Sequence, residues 1–325
     1  MKTASTRPSV EAGTGPAKPP ASISRRCVDG VLLLDKPVGL TSNAALQRVK
    51  RLYRAEKAGH TGTLDPLASG LLPICFGEAT KFAHALLDAD KGYRATIRLG
   101  VTTSTADAEG DVLRERPVEV SRADVDAVLP RFVGSIAQRP PRHAALKFRG
   151  RNYYEYARAG VEIPRPERAV VVSELSLELW APPELALRVR CGKGTYVRVL
   201  AEDIGEALGC GAHLAALRRT FTGGFDLDSA ATLEMLAILS EAELDRRLLS
   251  ADAMLAGLPR LDLAAGEAGR MRQGQTIACP SLPDGAYRTY AAGAFAGVAH
   301  SHQGRLRPRR LVATPSSASI ESLES

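Results

Sequence analysis

Residues 31–34 form an unbroken apolar run closed by Asp35-Lys36-Pro37 and Gly39, which predicts a short buried strand and a turn. Leu46, Val49, Leu52 and Tyr53 follow at helical spacing behind Ser42, which is placed to cap that helix. Residues 71–76 read as a second buried strand, and 78–89 as a helix with Phe82, Ala85 and Leu86 on one face. Residues 91–99 alternate as a strand does, and 170–179 and 184–191 give two more strands. Val197, Leu200, Ala201, Ile204 and Leu208 mark one face of a helix that Gly209 is placed to end, and 213–221 return as a strand. Strands and helices mix without a regular βαβ beat, so the pattern predicts the α+β class around a mixed or antiparallel sheet. Short helical segments run from Phe225 to about Leu255. From Pro259 the chain turns Gly-rich, and alternating runs at 293–299 and 305–312 predict a small β-rich C-terminal domain. No repeat of solenoid period is present.

These elements divide the chain into a main domain, 29–255, and a C-terminal domain, 256–313. Residues 1–28 read as a disordered basic tail, since Pro, Ser, Thr and Ala dominate and only Glu11 is acidic. Its prolines argue against an amphipathic transit helix. Residues 314–325 read as a second polar tail. A length of 325 residues with 45% hydrophobic composition supports two domains with a sizeable core. The net charge of +7 adds the expectation of an anionic partner, nucleic acid before a membrane surface. Five scattered cysteines without a C-x-x-C pair fit neither a disulfide scaffold nor a zinc module and point to a reducing, cytoplasmic setting. No apolar run approaches the length of a membrane span, and no secretory signal opens the sequence.

Candidate chemistry begins at GHTGTLDPLASGLLPICFGEATKF, residues 59–82, where Asp65 stands alone between Leu64 and Pro66. Asp before Pro is a common turn former. The same carboxylate could be a nucleophile or a general base. A metal is not expected, because the six histidines form no recognisable ligand motif. A nucleotide cofactor is not expected either: CGKGT at 191–195 lacks the earlier glycine of a phosphate loop, and no G-x-G-x-x-G occurs. Two distant segments offer companions. KGYRATIRLG carries Tyr93 at a strand start, and KGTYVRVLAEDIG carries Tyr196 and Arg198 at a helix start. An arginine could pair with Asp65, and a tyrosine could pack on a planar base and offer its phenol. Taken singly, each reads more simply as a core-edge tyrosine or a solvated arginine. A hydrolase would need a second carboxylate; Asp107 and Asp111 are available, in what reads more simply as a polar turn. In RPPRHAALKFRGRNYYEYAR, residues 139–158, basic residues including Lys147 and Arg149 interleave with Phe148, Tyr153, Tyr154 and Tyr156. Basic and stacking groups together suit an RNA loop.

Six stretches in order resemble the TruB-type tRNA pseudouridine synthases: DGVLLLDKPVGLTSN, GHTGTLDPLASGLLPICFGEATKF, KGYRATIRLG, ALKFRGRNYYEYARAG, CGKGTYVR and GCGAHLAALRRT. A weaker echo appears in GRLRPRRLVA. The resemblance implies a pseudouridine synthase fold with an RNA-clasping insertion at about 138–168 and a PUA-like C-terminal module. It implies isomerisation of uridine 55 in the T loop of tRNA, with base flipping and no cofactor. It implies a monomer that needs no protein partner and no membrane. In this reading Asp65 is the essential aspartate and Arg198 its partner. Tyr93 stacks on the flipped base and handles a proton, Tyr196 contacts the base, and Leu217 lines the base pocket. His60 fills the space the nucleotide leaves. Rival readings are a guide-RNA-dependent enzyme acting on ribosomal RNA and an RNA-binding helper of tRNA folding.

Overall fold

The computed structural model describes residues 24–144 and 146–313. A nine-stranded sheet organises the main domain. Its order is Gly30–Lys36, Ala68–Phe76, Ala212–Thr222, Lys91–Leu99, Glu184–Cys191, Arg168–Ala181 and Gly134–Gln138; Ala58–His60 and Phe225–Asp226 pair at its side. Ala212–Thr222 runs parallel to Ala68–Phe76, through Leu217↔Ala68, while the other pairings are antiparallel. The sheet is therefore mixed, as the pattern predicts.

Alternation along the strands sorts the core. Leu32, Leu34, Leu72, Ile74 and Phe76 meet Ala45, Leu46 and Val49 of the helix Ser42–Leu52. Val31, Leu33, Leu71 and Cys75 point to the other face, where Phe82, Leu86, Met254 and Leu255 cover them. Further across the sheet, Ala95, Ile97, Leu187 and Val189 pack on Leu200, Ala201 and Ile204 of the helix Val197–Ala207. Each fully buried side chain of this size contributes roughly 1.5–3 kcal/mol over leaving it exposed. Tyr93 and Leu217 touch both the first and the third of these clusters, so they mark the seam between the two helix-covered halves.

The C-terminal sheet has five strands in the order Arg260–Leu263, Gly285–Ala291, Ala294–His302, Arg305–Leu311, Ile277–Ala278. Its Val298 joins the core beneath the main sheet. No helix among the described residues is long and apolar enough to cross a membrane.

Four local expectations change. The helix cap is Thr41, whose hydroxyl accepts the Ala44 N–H at 3.0 Å, and Ser42 is left for another task. Residues 78–89 split into a 3-10 segment, Gly77–Phe82, and a short α-helix, His84–Asp88. Thr80 bonds the Gly77 carbonyl at 2.6 Å, a side-chain contact that competes with the α-helical pattern. The tail expected over 1–28 is folded from residue 24 where described: Arg26 bridges Ala55 and pairs with Asp245 at 2.6 Å, and Val28 lies in the core. The C-terminal domain also contains a helix, Ala265–Arg272. Residues 1–23 and the second expected tail, 314–325, lie outside the described residues.

Candidate active site

The loop carrying Asp65 is tied on both sides. Leu64 is buried in the core, its N–H donates to Ser42 Oγ at 2.7 Å, and the Ser42 hydroxyl donates to the Leu64 carbonyl at 3.0 Å. The Gly39 N–H donates to the Pro66 carbonyl at 2.8 Å, and the Ala68 N–H to the Asp65 carbonyl at 3.0 Å. Gly70 then lets the strand run close beside its parallel neighbour: its φ is +99°, and a Cβ there would sit 2.3 Å from the Arg219 carbonyl oxygen. The backbone is fixed while the Asp65 side chain stays 42% exposed. Its polar partner is Arg198, with Nη2 at 3.1 Å, and not the turn of which it is part.

Arg198 stands in the first turn of the helix Val197–Ala207 and is itself buried. A buried guanidinium needs counter-charge and satisfied donors. It has a second carboxylate, Asp107, with Nη1 to Oδ2 at 3.2 Å, and Nη2 also donates to the His143 carbonyl at 3.3 Å. Asp107 is 2% exposed, and its Oδ1 accepts the Thr105 hydroxyl at 2.5 Å and the Glu109 N–H at 3.1 Å. The reading of this loop as a polar turn is thus corrected for Asp107. The signal was in the other segment: VRVLA at 197–201 is buried all round, so an arginine within it requires more acid than one half-exposed aspartate supplies. Two carboxylates share one cation.

A cavity of about 280 Å³ opens over this pair, lined by Asp65, Tyr93, His143, Tyr196, Arg198 and Leu217. Burial raises the Tyr93 phenol above its ordinary value against the pull of the Arg219 guanidinium, and burial raises Tyr196 as well. Both phenols keep their protons at neutral pH. Lys36 lies beneath, fully buried, donating to the Pro37 carbonyl at 2.8 Å and the Leu40 carbonyl at 2.6 Å. Burial pushes its ammonium down to about 8 while Asp65 pulls the other way. A carboxylate, a guanidinium and two neutral phenols around a concave, partly apolar space can hold a flat uncharged ring and act on it with a base or nucleophile. The larger cavity, about 640 Å³, lies between Phe82, Met254 and Val298 at the junction with the C-terminal sheet and holds none of these groups. Among the described residues no group of three or more His, Cys, Asp or Glu side chains is arranged to hold a metal.

The structure thus brings Asp65, Tyr93, Tyr196, Arg198 and Leu217 together and leaves His60, Lys147 and Arg149 outside the cavity lining. His60 ends the strand Ala58–His60; its Nδ1 is buried without a partner, and burial together with Arg219 lowers its pKa. Lys147 and Arg149 sit exposed on a hairpin, Lys147–Phe148 with Arg151–Asn152, which feeds the helix Tyr153–Arg158. Arginines stack there on aromatic faces: Arg149 over Phe148 at 5.3 Å, Arg151 over Tyr156 at 5.4 Å and Arg158 over Tyr154 at 5.4 Å. Tyr153 is buried, so this segment is core on one side and a basic, aromatic surface on the other.

Known proteins match most of this chain. Residues 50–197 match the N-terminal domain of TruB family pseudouridylate synthase, residues 198–256 the tRNA pseudouridylate synthase B C-terminal domain, and residues 259–312 the C-terminal part of pseudouridine synthase II TruB. The tRNA pseudouridine synthase B of Thiobacillus denitrificans is 56% identical over 292 residues, which is 90% of this chain and 98% of that protein. That of Burkholderia mallei is 55% identical over 304 residues, 91% of this chain and 98% of its own. A chain from the crystal structure of a Cbf5-Nop10-Gar1 complex superposes with a TM-score of 0.67 at 26% identity, covering 88% of this chain and 84% of that one. The chain belongs to the TruB family of pseudouridylate synthases.

Proposed function

We propose that this enzyme isomerises uridine 55 in the T loop of tRNA to pseudouridine, acting alone in the cytoplasm and without cofactor. The observation that carries the reading is the Asp65–Arg198 pair, open to a cavity walled by Tyr93 and Tyr196. The reaction breaks the N1–C1′ bond, turns the base and joins C5 to C1′; C5 gives up a proton and N1 gains one, so nothing is consumed. A base inside a folded loop must be extruded first. Stacking on Tyr93 returns roughly 1–3 kcal/mol of that cost. Asp65, aimed by Arg198, acts at C1′ or C6, or takes the 2′ proton. Leu217 supplies the apolar wall, Tyr196 a second contact to the base, and His60 a filler near the vacated stack. Lys147 and Arg149 on the insertion hold phosphates of the T arm. The C-terminal sheet is read as a PUA-like RNA-binding module.

The test is direct. Purified protein is incubated with unmodified tRNA transcript without metal or nucleotide, and pseudouridine is mapped by carbodiimide labelling and primer extension. One stop in the T loop is expected; a requirement for a guide RNA or a second protein would overturn stand-alone action. A reading that requires partner proteins has a structural relative in a chain of the Cbf5-Nop10-Gar1 complex at 26% identity. The stand-alone reading is favoured by relatives above 50% identity named tRNA pseudouridine synthase B and by the basic insertion.

Tyr93→Phe keeps the stacking ring and removes the phenol. Turnover is expected to fall by roughly 10²-fold, the lower end for lost proton transfer, with tRNA affinity unchanged. Single-turnover kinetics beside filter binding checks this, and wild-type turnover would leave Tyr93 with stacking alone.

A further inference from the structure

The RNA-binding insertion leaves the sheet at the end of the strand Gly134–Gln138 and returns at Arg168, the Cα partner of Gln138. Gln138, at this root, is 2% exposed. Its side-chain amide is turned toward the active site. Oε1 accepts the Tyr196 N–H at 3.0 Å, and Nε2 donates to the Tyr196 carbonyl at 3.3 Å. One side chain thus clasps both polar groups of a single residue.

That residue is the one just ahead of the helix Val197–Ala207. Tyr196 has extended backbone, φ −101° and ψ 107°, and its own side chain does not cap the helix. Its carbonyl accepts the Leu200 N–H at 3.0 Å, the first bond of the helix. Its N–H lies outside the helix and would be a half-buried donor without a partner if Gln138 were absent. Tyr196 faces the cavity from this backbone, and Arg198 leaves it within the next turn to reach Asp65 and Asp107. The insertion meets the same arginine again through the His143 carbonyl at 3.3 Å.

We propose that Gln138 is a positioning residue for the isomerisation. It fixes Tyr196 and the start of the helix so that Arg198 meets Asp65, and it ties that geometry to the root of the segment that grips RNA. Gln138 touches no reacting atom. The inference rests on reading Asp65, Arg198 and Tyr196 as the reaction centre. A misplacement of about 1 Å in such a centre costs on the order of 10²-fold in rate.

Gln138→Met keeps length and burial and removes both hydrogen bonds. Single-turnover kcat at saturating tRNA is expected to fall roughly 10- to 100-fold. The tRNA dissociation constant is expected to stay within about twofold, because the phosphate contacts lie elsewhere. Wild-type kcat in this variant, or weakened tRNA binding with kcat intact, overturns the proposal. Gln138→Glu supplies a readout that loss of stability alone would not move. A protonated carboxyl reproduces the amide, accepting the N–H and donating to the carbonyl, whereas the carboxylate loses the donor and faces the Tyr196 carbonyl with a charge. Its kcat relative to wild type is therefore expected to rise as pH falls, with thermal melts confirming the folded fraction at each pH. A ratio flat across pH overturns the proposal even where Gln138→Met fails to fold. Asp65→Asn run in parallel separates the two claims: if it is inactive while Gln138→Met turns over normally, the site reading stands and the role of Gln138 falls. If Asp65→Asn retains turnover, the site reading falls first.

Discussion

Asp65→Asn is expected to abolish pseudouridine formation, lowering single-turnover rate by about 10⁴-fold or more, while tRNA still binds. The substitution changes charge and almost nothing else. The loop is held by the backbone of Leu64, Pro66 and Ala68 and by the Ser42 hydroxyl, none of which involves the Asp65 carboxylate. Arg198 keeps Asp107 at 3.2 Å as its counter-ion, so no buried cation is stranded. An amide in the same place is neither a nucleophile nor a base, whichever of C1′, C6 or the 2′ proton is the target. Binding should survive because phosphate contacts supply most RNA affinity and the exposed Lys147 and Arg149 lie away from the cavity. Carbodiimide mapping and filter binding on the same preparation check both halves. Turnover near wild type would return Asp65 to the part of a turn residue; loss of tRNA binding in a folded variant would make it a binding group. The variant also separates enzyme from folding helper, since a helper whose catalysis is dispensable keeps its function in cells with Asn at this position.

The fold and the residues that line the candidate site are legible in the sequence unevenly. The strands are continuous or alternating apolar runs, and burial decides both, so 71–76 and 91–99 announced themselves. The helix Ala265–Arg272 did not: Gly266 and Gly269 lower its propensity, and only Ala268 and Met271 are buried on it. Residues 24–28 read as tail because Arg26 finds its acids, Glu241 and Asp245, more than two hundred residues later. The same distance in sequence hid the support of the site. Ser42 looks like a helix cap, and its hydroxyl instead holds Leu64. Asp107 sits in a string of Ser, Thr, Ala and Gly that has no apolar period, and it is brought inside by the strand Ala212–Thr222, which it bridges at Leu214, and by Arg198. Gln138 is one polar residue at a strand end. Periodicity reports which faces are buried. It carries no information on which polar side chains are brought inside as partners, and those partners fix the geometry of a catalytic group.

Asp107→Asn tests that point, because it removes charge from the member of the triad that cannot reach substrate. The carboxylate accepts from Arg198 through one oxygen and from the Thr105 hydroxyl and Glu109 N–H through the other. An amide has one acceptor atom and one donor atom, so either Arg198 or the loop loses its partner, and the guanidinium is left with Asp65 alone. Stranding a buried charge outright costs roughly 3–5 kcal/mol, and the loss here is expected to stay below that because Asp65 remains at 3.1 Å. Part of that loss is expected as a lower melting temperature. The rest is expected in catalysis: Arg198, no longer held at Nη1, shifts toward Asp65, and a displacement of about 1 Å lowers the rate on the order of 10²-fold. The two contributions come apart in the double variant Arg198→Met with Asp107→Asn. No buried charge is left unpaired, since Asp65 is 42% exposed to solvent; an apolar side chain fills the same space, and stability should recover above that of Asp107→Asn alone. Activity should not recover, since Asp65 then has no guanidinium to aim it. Thermal melts and single-turnover rates across the wild type, both single variants and the double variant measure this coupling. If the stability losses simply add, Arg198 and Asp107 are not a functional pair and the distance of 3.2 Å between them is incidental. If stability recovers and activity returns with it, the arginine serves only to neutralise Asp107, and Asp65 works without its help.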